Sequence, residues 1–334
     1  MKKRIAAAAM VLMLLLSCGS CVKLTKLVDV EKETDAPPKV VYLGDSIAAG
    51  YGLEGYKADD LYSCGSYPNI LAARYSSALE GECGHITVNK AVSGDTTDDL
   101  LGDLESGSLD DALTDSDAVV ISIGGNDLLH VFLRLFENIG YNKELGRIKL
   151  SDADILAAAS GLIGLDDDID KALEGFETNL DKIVSVIGEK TDGEIFVQTL
   201  YDPFEYFDQI GILVDYTQKK VNRFNLIVND NSGSDGVRRY NVVDVAAAFE
   251  GRCGDLTNIK LYDIHPNAAG HAVIAEKVNE EIAKHTYTYM TKAEVTDEDA
   301  IRTLVIICIS AGTAVIAGTV LLIVFLSRKA KKTE

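Results

Sequence analysis

Ser46 stands in "GDSIAAG", directly after the apolar run Lys39 to Gly44, and His265 stands in "LYDIHPNAAGH" near the other end of the chain. A serine hydroxyl is a weak nucleophile until an adjacent base takes its proton, and imidazole is the side chain best suited to that at neutral pH. The chain has five histidines. His85 opens a strand and His285 ends the last helix of the domain, so both read as surface residues. His271 lies inside a helix and reads as a packing or capping residue. His130 lies one turn beyond Asn126 and is within reach of a site there. His265 is the best base, because it sits in a loop pinned by Pro266, a residue suited to a first helical turn. Acyl transfer also needs donors aimed at the developing oxyanion. The backbone N–H groups of Ser46 and Gly94 and the side-chain amide of Asn126 are the candidates. A glycine-rich turn after a strand can instead cradle phosphate, but that use wants a lysine, as in G-x-x-x-x-G-K-[ST]. "GDSIAAGYGLEG" has none, and a phosphate site leaves Asn126 and His265 without a task.

These residues must be positioned by a scaffold, and the chain alternates in a way that supplies one. Short β-rich runs occur at "KVVYLG", "HITVNKAV", "DAVVISIGG", "EIFVQTLYD" and "RYNVVDVAAAF". Between them lie helical patterns. The clearest places Ile169, Leu173, Phe176, Leu180, Val184 and Ile187 at steps of three and four, one apolar stripe. A second sets Ile274, Val278 and Ile282 on one face. Strands alternating with helices predict an α/β domain with a mainly parallel, five-stranded sheet covered on both faces. In such sheets the ligand site lies beyond the carboxyl ends of the strands. Gly44-Asp45-Ser46, Ser93-Gly94-Asp95, Gly124-Gly125-Asn126-Asp127 and the loop carrying His265 all fall just after such ends.

Four segments in this order resemble the sequence blocks of the SGNH hydrolases, also called GDSL esterases and lipases, with Ser46, Gly94, Asn126 and His265 one to a block. The resemblance runs from about Lys39 to His285. It implies a flavodoxin-like three-layer sandwich, a Ser-His-Asp site, an oxyanion hole of Ser46, Gly94 and Asn126, and no metal or organic cofactor. "GDSIAAG" has isoleucine where the family name has leucine. A larger departure concerns the acid, which in the family usually lies three residues before the histidine. Tyr262 occupies that place and Asp263 lies two before. Either Asp263 orients His265, or a backbone carbonyl does and the machine is a dyad. The activity expected is that of a serine ester hydrolase of esterase, lipase or carbohydrate deacetylase type, acting on an ester-bearing small molecule, lipid or glycan. An acyltransferase and a non-catalytic glycan- or lipid-binding module are the alternatives on the same scaffold.

The two ends of the 334-residue chain read as targeting segments. "MKKR" followed by "IAAAAMVLMLLL" has the pattern of a secretory signal over residues 1–21, and Leu15-Leu16-Ser17-Cys18 resembles a bacterial lipobox. Residues 22–38 and 288–302 read as linkers flanking a domain at 39–287. Residues 303–326 carry no charge and no proline, long enough for a membrane span. The basic tail at 327–334 should stay cytoplasmic, leaving the domain outside a cell membrane crossed once. The net charge is −20, and Lys2, Lys3 and Arg4 contribute +3 while Arg328, Lys329, Lys331, Lys332 and Glu334 contribute another +3, so the part between is near −26. Such acidity argues against a nucleic-acid partner. Of six cysteines, Cys64, Cys83 and Cys253 fall in the domain. Cys64–Cys83 is the preferred bridge, closing a short loop around one helix, with the other pairings open.

Overall fold

The structure is a computed structural model that describes residues 23–137, 161–234 and 237–330. The segment expected to be a signal, with Cys18, lies outside the described residues. The chain divides into two compact units, Lys32–Tyr289 and a second made of Met1–Glu31 with Met290–Glu334.

Within the larger unit a sheet runs in the order β3 (Ile86–Asn89), β2 (Lys39–Gly44), β4 (Ala118–Ser122), β5 (Glu194–Gln198), β8 (Asn241–Val243). All four pairings are parallel. By chain order the five strands run 2-1-3-4-5, the flavodoxin-like doubly wound arrangement. A hairpin of β6 (Gly233–Ser234) and β7 (Val237–Arg238) precedes the last of them. The α/β sandwich expected from the alternating runs is therefore the fold observed.

Strand side chains alternate between two cores, as the period of two requires. Val41, Leu43, Val119, Ile121, Ile195 and Val197 face one layer, while Val40, Tyr42, Val120, Phe196 and Val243 face the other. The first layer is built from α3 (Thr97–Ser106), α4 (Asp110–Leu113), α5 (Gly125–Glu137), α6 (Asp166–Lys190) and α7 (Gly211–Asp230). The second comprises α2 (Tyr67–Ala78), α8 (Val245–Phe249), α9 (Cys253–Leu256) and α10 (Ala268–Ile282). The stripe read on α6 is buried along its length, and Ile274, Val278 and Ile282 of α10 are fully buried. Burying each such side chain contributes about 1.5–3 kcal/mol.

At the site end of the sheet the backbone is crowded. Gly44 has φ +133°, and a Cβ there would lie 1.9 Å from the carbonyl oxygen of Ser122 on the neighbouring strand. Only glycine fits. Gly124, at φ +102°, lies against Phe176 and Phe224, whose rings stack at 4.0 Å.

In the smaller unit, α11 (Glu298–Ala330) is exposed and, over Glu298–Phe325, long and apolar enough to cross a membrane. The segments read as linkers prove to contain paired strands, β1 (Thr25–Thr34) and β9 (Tyr287–Thr296). The Asp297 N–H donates to the Leu24 carbonyl at 2.7 Å, so the two strands run antiparallel. A two-stranded ribbon buries little on either face, which is why its sequence resembles a tether.

The expected Cys64–Cys83 bridge is absent: both are free, Cys64 buried and Cys83 exposed. They lie at opposite ends of α2, whose 12 residues span about 18 Å at 1.5 Å each. A disulfide holds its Cα atoms within about 7 Å, so the helix acts as a spacer. Cys253 is also free and buried.

Candidate active site

Ser46 is the first residue of α1 (Ser46–Ala49), a single turn placed at the end of β2. Asp45 caps it by accepting the Ile47 N–H at 3.0 Å, and Gly50 closes it in the left-handed conformation, φ 84°. From β3, the buried Asn89 donates its amide to the Ala48 carbonyl at 2.9 Å and so fixes the turn to the sheet. The hydroxyl is thus presented at the carboxyl edge of the sheet, at the switch point between β2 and β4 where doubly wound folds place their ligands.

His265 is held from both sides. The Asn258 N–H donates to the His265 carbonyl at 2.9 Å, and the Asn267 N–H donates to the Leu256 carbonyl at 2.9 Å. Asn267 then caps α10, accepting from the Ala269 and Gly270 N–H groups. Its amide meanwhile donates to the Asp255 and Thr257 carbonyls. Tyr201 adds a further tie: its hydroxyl donates to the Ile264 carbonyl at 2.8 Å while its ring stacks on Phe249.

The result is a linear relay. His265 Nε2 lies 2.9 Å from Ser46 Oγ, and His265 Nδ1 lies 2.6 Å from Asp263 Oδ1. The same Oδ1 accepts the His265 backbone N–H at 3.0 Å. An ionised carboxylate only accepts, so the ring proton sits on Nδ1 and the lone pair of Nε2 faces the serine hydroxyl. The acid two residues before His265 directly follows Tyr262. This residue ends the 3₁₀ turn Ile259–Leu261 at φ 59°, in the left-handed region.

Asn126 opens α5 and lines the same cavity as Ser46 and His265. Its amide donates to the Asp95 carbonyl at 2.8 Å, which leaves one N–H for another acceptor. Asp127 binds across to the Thr97 N–H at 3.1 Å and the Thr97 hydroxyl at 2.5 Å, tying the loop of Gly94 to that of Asn126. Gly94 is exposed, with φ +100°, and is not among the residues lining the cavity. The Ser46 N–H belongs to the first helical position, where no intrahelical acceptor exists.

The other histidines lie apart from Ser46. His271 is buried and neutral, its pKa pushed down to about 3 by burial, and its Nδ1 accepts the Tyr67 N–H. His85 bonds the Pro37 carbonyl and the Thr87 hydroxyl. His285 lies 3.4 Å from Glu194. His130 is exposed on α5, away from the cavity lining.

Two residues and a cavity adjoin these groups. Tyr51 sets its ring 4.7 Å from the imidazole. Beside the relay an apolar cavity, open to solvent, lies between α5, α7 and the loop after β5. Asp202 in that loop carries a carboxyl raised to about 6, chiefly by burial. Tyr201 and Asp202 follow a strand end as Ser46 does, which is the signal that would have found them. Asp45 is raised further, to about 7, because it is wholly buried; the Ile47 N–H and the nearby imidazole oppose the rise, while Asp127 and Asp95 add to it.

A hydroxyl, imidazole and carboxylate in line at the carboxyl edge of a parallel sheet form an arrangement able to perform nucleophilic acyl chemistry. The chain belongs to the GDSL-like Lipase/Acylhydrolase family, whose model matches residues 42–273. It is 24% identical over 202 residues to the uncharacterized protein YpmR of Bacillus subtilis (strain 168), a match covering 59% of this chain and 66% of that one, just under two thirds of the relative's length. Among solved structures it is similar to a lipase from a goat rumen metagenome, Lip_vut3. There the identity is 22%, the coverage 73% of this chain and 96% of that one, and the TM-score 0.49. A catalytic mutant of the acetylxylan esterase Axe2 from Geobacillus stearothermophilus aligns at 19% identity, covering 73% and 94%, with a TM-score of 0.46.

Proposed function

We infer that the protein is a serine ester hydrolase. Ser46 Oγ attacks the ester carbonyl, His265 Nε2 takes the hydroxyl proton and returns it to the leaving alcohol, and Asp263 holds the imidazole and stabilises its cationic form. The Ser46 and Gly94 N–H groups and the Asn126 amide meet the oxyanion. Water, deprotonated by the same imidazole, then releases the acid from the acyl-enzyme. The observation that carries this reading is the continuous contact Ser46–His265–Asp263, at 2.9 and 2.6 Å. The adjoining cavity, walled by Leu128, Phe132 and Val221, supports an acyl group of modest length as the part of the substrate taken inside. The N-terminal basic-then-apolar segment and α11 support an extracytoplasmic domain held to a membrane by its C-terminal helix.

The test is labelling of the full-length protein in detergent with a serine-directed fluorophosphonate. Labelling of the native chain, lost in Ser46→Ala, is the expected result. Ser46→Ala and His265→Ala should each cost on the order of 10⁴–10⁶ in turnover of a 4-nitrophenyl ester. Equal labelling of Ser46→Ala would end the reading.

A further inference from the structure

The cavity beside the relay is apolar on most of its wall, and a carboxyl stands in it. Leu128, Phe132, Leu200, Phe204, Val221 and Ile264 form the apolar part. Two acids touch the space. Asp45 is accounted for: it is 3% exposed and caps the turn that presents Ser46. Asp202 has no comparable duty that needs a charge. Its Oδ1 accepts the Phe204 N–H at 3.0 Å, a cap for the 3₁₀ turn Pro203–Phe207 that asparagine or serine would supply equally well. Its Oδ2 accepts the hydroxyl of the buried Thr217 at 2.7 Å. A carboxylate offers about four acceptor positions, so about two remain for whatever occupies the cavity. Among the described residues lining the cavity, His265 is the one basic residue, and its ring is already placed between Ser46 and Asp263. Among the described residues, Asp202 therefore meets no cation from the cavity wall.

Desolvating such a group against a plain alkyl chain forfeits its hydrogen bonds to water and replaces them with nothing. A ligand that brings a donor to the same spot restores them. We propose that Asp202 is a specificity-determining residue, selecting esters whose acyl group carries a hydrogen-bond donor, hydroxyl or ammonium, over esters of simple alkanoic acids. The proposal rests on the ester-hydrolase reading and deepens it. Thr217 holds the carboxyl in place from α7, and the apolar wall accepts the methylene groups between the ester and the donor. A site built around a hydrogen bond rejects the analogue that lacks the donor more strongly than an apolar pocket rejects an extra group.

The experiment uses the full-length protein in detergent and 4-nitrophenyl esters of four- to seven-carbon acyl chains ending in hydroxyl, ammonium or a methyl isostere. At one chain length or more, a donor-ended ester should exceed its methyl-ended isostere in kcat/KM by about ten- to a hundredfold, as expected of a hydrogen bond to a charged group. The hydroxyl and ammonium arms identify which donor is preferred. Asp202→Asn keeps the cap but not the charge, and should shrink the ratio to within about threefold while the melting temperature holds. A methyl-ended ester equal or better at every length overturns the proposal, and so does an undiminished preference in Asp202→Asn. The native ratio decides the matter if the variant fails to fold. Turnover of none of the esters, together with no fluorophosphonate labelling, would instead overturn the hydrolase reading and this proposal with it.

Discussion

Gly52 backs directly onto Asp263. A Cβ at Gly52 would stand 3.3 Å from Asp263 Oδ2 and 3.4 Å from His265 Cβ, and the residue has φ +87°. The loop that follows Ser46 thus forms the rear wall of the Asp263–His265 pair. Gly52→Ala should cost about 1–2 kcal/mol for the left-handed conformation alone. It should also displace the carboxylate, so kcat should fall by about ten- to a hundredfold with little change in KM. Steady-state kinetics with a 4-nitrophenyl ester reads the split; an unchanged kcat would show that Gly52 does not position the pair.

Asp263→Asn tests the displaced acid. Asparagine can offer its N–H₂ to the ring and so favour the wrong tautomer, and the turnover of Asp263→Asn should drop by about 10⁴. Near-native turnover would transfer the orienting role to a backbone carbonyl and make the site a dyad.

Gly124→Ala should unfold or severely weaken the domain. The added methyl would lie 2.5 Å from the Phe176 ring and 2.6 Å from that of Phe224, at φ +102°. Overpacking and the positive φ together predict a loss of about 3 kcal/mol or more. Urea titration measures it. Phe176→Leu in the same chain should recover part of the loss, because the two sites share one contact.

Asp45 gives a pH dependence of defined sign. Burial raises its carboxyl from 3.8 to about 7, so across that window the folded state holds a proton that the unfolded state has released. Its contribution is fully present below about pH 4 and is lost as the pH rises through about 7, a slope of up to about 1.4 kcal/mol per pH unit. Asp45→Asn retains an N-cap and removes the titration. The stability difference between native and variant chains, followed by thermal melts from pH 4 to 8, should therefore shift in favour of the variant as pH rises. A constant difference would refute it.

Much of this organisation was legible in the sequence because it is periodic or terminal. The stripe from Ile169 to Ile187 and the apolar strand runs announce buried elements by their repeat. Ser46 and Asn126 announce themselves by following strand ends, and His265 by its place beside Pro266 in a loop before a helix. What stayed hidden depends on distance through space. Cys64 and Cys83 look near along the chain, yet a rigid helix separates them. Thr25–Thr34 and Tyr287–Thr296 pair only with each other, and each alone carries too few apolar residues to read as a strand. Gly52 resembles any loop glycine until Asp263 is seen behind it. Asp202 resembles any surface acid until α5 and α7 close an apolar wall around it.

The double contact of Asp263 with His265 has a meaning for how such sites diverge. One carboxylate oxygen meets both the backbone N–H and the ring of His265 across an interval of two residues, so the interval between acid and histidine is free to differ wherever the carboxylate still reaches the ring. What selection must preserve is the position of a lone pair, not a count along the chain. A search that demands a fixed interval would pass over any relative whose acid reaches the ring from a different position.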